Sequence, residues 1–187
     1  MLTYLAATLP DDSPPPARLL ALQCALRVDD TLHVRLPRGV LRSLRLDTSK
    51  PWYDLEQAHW LHTLPASTPR EIAARLLDPA LLGQAPARPD RRRAADWALR
   101  AGRPSKTAEA SRLHQLASIY FAAHTDALGS GLAEPDRMAR ACGLQPEELP
   151  PLLTQLTSAG VLGSWHGCPY TQDLHWTLKR SPGPHAK

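Results

Sequence analysis

The sequence predicts a mainly α, α+β protein of two small helix-rich modules joined by a helical connector. Three observations predict it. Leucine-rich stretches in the first and last thirds repeat at three- and four-residue spacing, the period of a helix with one buried face. Short alternating segments follow these helices, as half-buried strands do. Nineteen prolines in 187 residues, about twice the usual share, cut the chain into short elements.

Residues 1–16 read as a tail ending in Pro14-Pro15-Pro16. Residues 17–27 then form a helix with Leu19, Leu22 and Leu26 inward. Residues 31–36 alternate apolar and polar, which predicts a short strand. Residues 37–44 make a short helix with Pro37 in its first turn and Val40, Leu41 and Leu44 inward. Thr48 or Ser49 caps a further helix over 51–60, with Leu55, Ala58 and His59 on one face and His59 packed in the core. Residues 60–64 read as extended.

Beyond Pro65 two more helical stretches are expected. Ser67 or Thr68 caps the first, which carries Glu71 and buries Ile72, Leu76 and Leu77. After a break at 84–89, Asp90 starts a second with Ala94, Trp97 and Ala98 inward and Arg91, Arg92, Arg93 and Arg100 exposed; Gly102-Arg103-Pro104 ends it. In the last third, residues 112–124 bury Leu113, Leu116, Ala117, Tyr120 and Phe121. Residues 134–142 form a short helix stopped by Gly143, and residues 146–159 a longer one stopped by Gly160, with Leu149, Leu152, Leu153 and Leu156 inward. Residues 161–165 and 173–178 read as a hairpin, and 179–187 as a disordered tail. The resulting division is a tail (1–16), a first module (17–65), a connector (66–106), a second module (107–179) and a tail (180–187).

The net charge of +4 is unevenly placed. Residues 1–65 are neutral, 66–106 carry +5 and 107–187 carry −1. The basic excess therefore belongs to the connector, and a polyanionic partner is expected to meet it there. No run approaches the ~18 apolar residues of a membrane span, and Met1 to Leu9 lacks the basic front of a secretory signal. Cys24, Cys142 and Cys168 are odd in number and widely spaced, so no disulfide framework is implied. The expected compartment is the cytoplasm. The sequence has no glycine-rich phosphate loop, nucleophile elbow or carboxylate pair at helical spacing, so no enzyme and no cofactor is expected. His166, Cys168 and His175 cluster on the last hairpin, but three ligands around one turn without a fourth make a poor zinc site, and no metal is expected. The aromatics Trp165, Tyr170 and Trp176 of that hairpin read as core.

The ends of the chain can be laid over one another. Ala17 to Leu22 aligns with Ser111 to Leu116 at an offset of 94, Ser43 to Leu46 with Ala141 to Leu144 at 98, and His59 to Leu61 with Gly160 to Leu162 at 101. A slowly growing offset is what a duplication with small loop insertions produces.

Residues 111–178, with a helix, a short helix, a tight turn at Gly143-Leu144-Gln145, a longer helix and a hairpin, resemble the winged helix-turn-helix superfamily. The resemblance implies that residues 146–159 are the recognition helix and 166–172 the wing tip. Residues 17–64 resemble a second copy with helices two and three at 37–44 and 51–60, departing from the family after Leu64, where Pro-Ala-Ser-Thr-Pro replaces a returning strand and the wing is missing or reduced.

That resemblance implies double-stranded DNA as a partner, read in the major groove by Arg, Lys, Asn or Gln on an exposed helix face. The first copy offers Ser49, Lys50, Tyr53 and Gln57, backed by Arg38, Arg42 and Arg45 for phosphates. The second offers Gln145, Thr154, Gln155, Thr157, Ser158 and the wing residue His166, with no basic residue on the helix and with Glu147 and Glu148 in its first turn. Arg91, Arg92 and Arg93 in the connector read either as a phosphate-tracking helix or as a solvated face. The favoured expectation is a transcriptional regulator, or a plasmid replication or partition factor, acting as a homodimer on nucleoid DNA. The alternative is a protein-interaction module, like the tandem winged-helix accessory subunits of chromosome-segregation complexes.

Overall fold

The computed structural model describes residues 1–46, 48–65, 68–101 and 112–179. The chain divides into two compact units, Met1–Arg100 and Ala101–Lys187.

The first unit begins with a helix where a tail is expected. Helix α1 (Leu2–Thr8) buries Leu2, Leu5 and Ala6, and Leu9 behind it is buried as well. An apolar repeat at i and i+3 is enough to hold so short a helix against a neighbour, and the Tyr4 hydroxyl donates to the Asp78 carboxylate. Helix α2 (Pro15–Arg27) starts with proline, whose fixed φ suits a first turn. Every residue from Ala17 to Leu26 is buried, so α2 is the central helix, covered on all sides. Arg18 is tolerated there because its guanidinium donates to the Ser13 carbonyl at 2.9 Å and the Pro10 carbonyl at 2.8 Å.

Strand β1 (His33–Pro37) alternates exposed and buried residues, with Val34 and Leu36 inward. Two short helices follow, α3 (Arg38–Ser43) and α4 (Lys50–Gln57). Ser49 occupies the N-cap of α4 without a side-chain cap bond, and Pro51 opens the helix. Pro51, Trp52 and Leu55 form its buried face. His59 is exposed at φ 50°, where it turns the chain out of α4, and is not a core residue. Strand β2 (Leu61–Leu64) follows.

The next element differs most from expectation. Residues 71–76 form strand β3 (Glu71–Leu76), not a helix capped by Thr68, and Ser67 lies outside the described residues. Strand β3 lies between β1 and β2, antiparallel to both, with Val34 opposite Ala74, Leu36 opposite Ile72 and Leu61 opposite Leu76. Ile72 and Leu76 are four apart, which fits one helix face as well as one strand face; pairing on both edges decides between them. The returning strand that the sequence reading lacks is therefore present, and β2–β3 is a complete hairpin. Helices α5 (Ala80–Gln84) and α6 (Arg88–Ala101) complete this part of the chain. The expected connector is thus divided, with β3, α5 and nearly all of α6 belonging to the first unit. The expected stop at Gly102-Arg103-Pro104 and the basic Arg103 and Lys106 lie outside the described residues.

The second unit repeats the order. Helix α7 (Arg112–Ala123) buries Leu116, Ala117, Ile119, Tyr120 and Phe121. Strand β4 (Ser130–Ala133), not anticipated from sequence, leads into α8 (Pro135–Cys142), which Gly143 stops at φ 69°. A single 3₁₀ turn (Pro146–Glu148) passes into α9 (Leu149–Ser158), with Leu149, Leu152, Leu153 and Leu156 inward. Strands β5 (Leu162–Gly167) and β6 (Leu174–Leu178) form the last hairpin, with β6 between β4 and β5. The tail 180–187 lies outside the described residues.

Both units therefore contain the run helix, strand, helix, helix, strand, strand (α2 to β3 in the first, which adds α1, α5 and α6 around it), and both sheets place the last strand in the middle. Corresponding elements drift apart slowly: helix ends Arg27 and Ala123 are 96 residues apart, strand starts Leu61 and Leu162 are 101 apart, and strand ends Leu76 and Leu178 are 102 apart. The cores differ. Leucines around α2 fill the first, whereas Phe121 meets the edge of Trp176 at 5.0 Å in the second.

Among the described residues no helix is long and apolar enough to cross a membrane.

Candidate nucleic-acid interface

One group of exposed cations in the first unit lies around α3, α4 and the β2–β3 hairpin. Arg38 opens α3, and its position is fixed twice: its backbone N–H donates to the Arg70 carbonyl at 2.8 Å and its Nε to the Pro69 carbonyl at 2.9 Å. These bonds pin the hairpin turn to the start of α3. They set Arg70, a residue hidden from the sequence reading by the missed strand, beside Arg38. Arg42 is exposed one turn further along α3, and Arg45 is exposed just beyond it at φ 52°.

On α4 the solvent-facing arc contains Ser49, Lys50, Tyr53 and Gln57. Tyr53 is 59% exposed. The arc has two flanks. Arg38, Ser49 and Tyr53 line a cleft of about 460 Å3 between α4 and the hairpin, together with Thr48, Glu56 and Thr63. Lys50 and Gln57 line a separate cleft of about 470 Å3 against Pro10, Asp12, Ser13 and Pro14. Lys50 also pairs with Asp54 at 3.1 Å, an exposed i, i+4 pair worth a few tenths of a kcal/mol, which leaves its ammonium available. Glu56 accepts from the Thr63 backbone N–H at 2.8 Å, and that bond holds its carboxyl below the usual glutamate range.

The arginine run on α6 does not behave as one surface. Arg91 is buried (4% exposed), with Ala95 and Ala98 on the same face. Its guanidinium donates to the Val28 and Pro86 carbonyls, both at 2.9 Å, and lies 3.6 Å from Asp30. These contacts rule out the phosphate contact expected of Arg91, because the three polar partners would lose their donor. The helix face is also rotated from the expected one, with Trp97 37% exposed instead of inward. Arg92 and Arg93 are exposed, but Arg93 is paired with Asp90.

In the second unit the corresponding helix spends its polar groups on itself. The Gln145 backbone N–H donates to the Glu148 carboxylate at 2.8 Å in a capping box. Thr154, Thr157 and Ser158 donate to carbonyls four residues back, and the Gln155 amide oxygen lies 2.9 Å from a ring nitrogen of His114. Glu147 and Glu148 are exposed at the front of the helix. His166 is exposed on β5, stacked at 5.2 Å on His175, its cross-strand partner. Among the described residues no group of three or more His, Cys, Asp or Glu is placed to hold a metal ion.

The chain matches no family model, and comparison with curated proteins and with solved structures found no match.

Proposed function

We propose that the chain is a winged helix-turn-helix DNA-binding protein whose first unit grips duplex DNA and whose second unit holds a protein partner. One observation carries the first half: the double attachment of Arg38 to the hairpin turn, which groups Arg38, Arg42 and Arg70 beside the exposed arc of α4. In this reading α4 enters the major groove, where Gln57 and Lys50 meet base edges and Tyr53 meets an apolar base surface. Arg38, Arg42, Arg45 and Arg70 hold phosphates on either side, supplying affinity and register but no sequence information. A transcriptional regulator, or a plasmid replication or partition factor, acting as a homodimer on a palindrome is the matching biological role. The second half rests on the acidic, self-bonded front of the 3₁₀ turn and α9, which repels phosphate and suits a polar or basic protein surface. The same observation favours a second reading, in which both units serve as an interaction module of a larger chromosome-associated assembly.

Fluorescence anisotropy on mixed duplex fragments at two salt concentrations separates the readings. Submicromolar binding is expected, and the double change Arg42→Ala with Arg70→Ala is expected to weaken it about tenfold or more and to flatten the log–log salt slope by about 2. The control Arg137→Ala with Arg140→Ala, on α8 of the second unit, should stay within about twofold. Binding that is absent, or indifferent to salt, overturns the DNA reading.

A further inference from the structure

The outward face of the first unit's sheet has a polar row that the DNA reading does not use. Arg75 on the central strand β3 is the register partner of His33 on β1 and of His62 on β2. Register partners point to the same face, and adjacent strands are about 4.8 Å apart, so three side chains that carry or acquire positive charge stand side by side. All three are exposed, while Val34, Ala74 and Leu76 pack inward.

Like charges directly opposite one another destabilise a sheet, and nothing within the row offsets them. The Arg75 side chain has no hydrogen bond or ion pair among the described residues. The carboxylates that do face the row sit at its two ends. Asp29 accepts the Thr31 hydroxyl at 2.7 Å and the Thr31 and His33 backbone N–H groups at 2.9 Å each. Because the Thr31 hydroxyl is committed to Asp29, its oxygen is left to accept from His33 Nδ1 at 2.9 Å. That orients the ring and reserves Nε2 for another partner. At the other end, Glu56 lies 3.9 Å from His62 Nδ1. His33 Nδ1 is thus held by the Thr31 hydroxyl, and His62 Nδ1 lies near the Glu56 carboxylate. In the next row Arg35 pairs with Glu71 at 3.9 Å, so that acid is already engaged.

We propose that His33, Arg75 and His62 form a phosphate-binding site on the outward face of this sheet, separate from the α3–α4 face. Arg75 supplies the permanent cation and a forked donor pair matched to two phosphate oxygens. His33 and His62 flank it with ring nitrogens that can donate to further phosphate oxygens. The ligand chemistry is a phosphate mono- or diester, from either a nucleic-acid backbone or a small free phosphate compound.

The test is a titration of the full chain with inorganic phosphate at one fixed pH, followed through the histidine ring signals by NMR. Saturable shifts confined to His33 and His62 are expected, with affinity at least about fivefold weaker in Arg75→Gln. Shifts that do not saturate, that appear in all eight histidines alike, or whose affinity is unchanged in Arg75→Gln overturn the site. A competing duplex of about 20 base pairs identifies the source: displacement of phosphate assigns the site to a nucleic-acid backbone, and retention assigns it to a small phosphate compound. The Arg42→Ala, Arg70→Ala variant keeps this site while losing the helix-face contacts, so failure of the DNA reading and failure of the phosphate site give different results.

Discussion

Helices α4 and α9 occupy the same place in the two units, and their solvent-facing residues have little in common. Helix α4 shows Lys50, Tyr53 and Gln57 beside three arginines, with a hairpin turn bonded to Arg38. Helix α9 shows Pro150, Pro151, Thr154, Gln155 and Ser158 behind two glutamates. The threonine and serine hydroxyls of α9 are donated to its own backbone, and its glutamine is held by His114. One element order thus presents a cationic face in one half and an acidic one in the other. Framework and surface are specified by different residues: inward leucines and turn glycines build the first, and a few outward side chains decide what each face can touch.

The largest expected effect separates the two units by their tolerance of a methyl group. Gly131 on β4 faces the indole of Trp176, and an added Cβ would also fall 2.6 Å from the His124 carbonyl oxygen. The indole cannot yield, because it is buried, packed on Phe121 and bonded through Nε1 to Thr125 at 2.9 Å. Gly131→Ala should cost the second unit about 3 kcal/mol, read as a fall in its denaturation midpoint. An unchanged midpoint would mean that the second core is looser than its aromatic packing implies.

Acid should act visibly on the first unit. Burial opposes ionisation of Asp29, yet the Thr31 hydroxyl and the Thr31 and His33 backbone donors outweigh it and hold the carboxyl below the usual aspartate range. Glu56 is held low by Thr63 in the same way. A carboxyl with a depressed folded-state pKa contributes stability above its unfolded value and loses that contribution as pH falls through the folded one. Asp29→Asn with Glu56→Gln should therefore be less stable than the parent at pH 7, and the two unfolding curves should converge below about pH 3. A constant gap down to that pH would show that these side chains act through shape alone.

The smallest effect is a gain. Gly39 lies in α3 with open space around its Cα, so Gly39→Ala should stabilise the first unit by about 0.5–1 kcal/mol. Calorimetry should show a rise of a few degrees at most. A loss would indicate that α3 needs the freedom of glycine where it meets the hairpin.

The helices with one apolar face, among them α7 and α9, were legible because burial and period agree there, whereas α2 was legible as a helix but not as one buried on all sides. The last hairpin and the drifting offset between the halves were legible too. Strands β3 and β4 were not. Glu71-Ile72-Ala73-Ala74-Arg75-Leu76 has a single β-branched residue, and its strand character comes from pairing with residues 33–37 and 61–64, far away in sequence. Ser130-Gly131-Leu132-Ala133 is shorter still and owes its conformation to β6. Losing β3 also hid Arg70 and Arg75. Arg91 was misplaced because a run of arginines looks uniform in sequence, although Arg91, Ala95 and Ala98 at i, i+4 and i+7 do mark one helix face. The outward residues of α4 were readable as candidates; their division between two clefts was not, since it depends on the loop at Pro10–Pro14.

The buried Arg91 fixes where the chain can be cut. Its guanidinium closes the end of α2 by satisfying the Val28 carbonyl, and Arg27 pairs with Asp96 at 3.0 Å further along α6. A fragment ending before residue 88 would strand that carbonyl and expose the C-terminal end of the central helix to water. A self-sufficient N-terminal fragment therefore has to run through α6. Proteases that favour arginine should pass over Arg91 and cleave at its exposed neighbours only after α6 has detached.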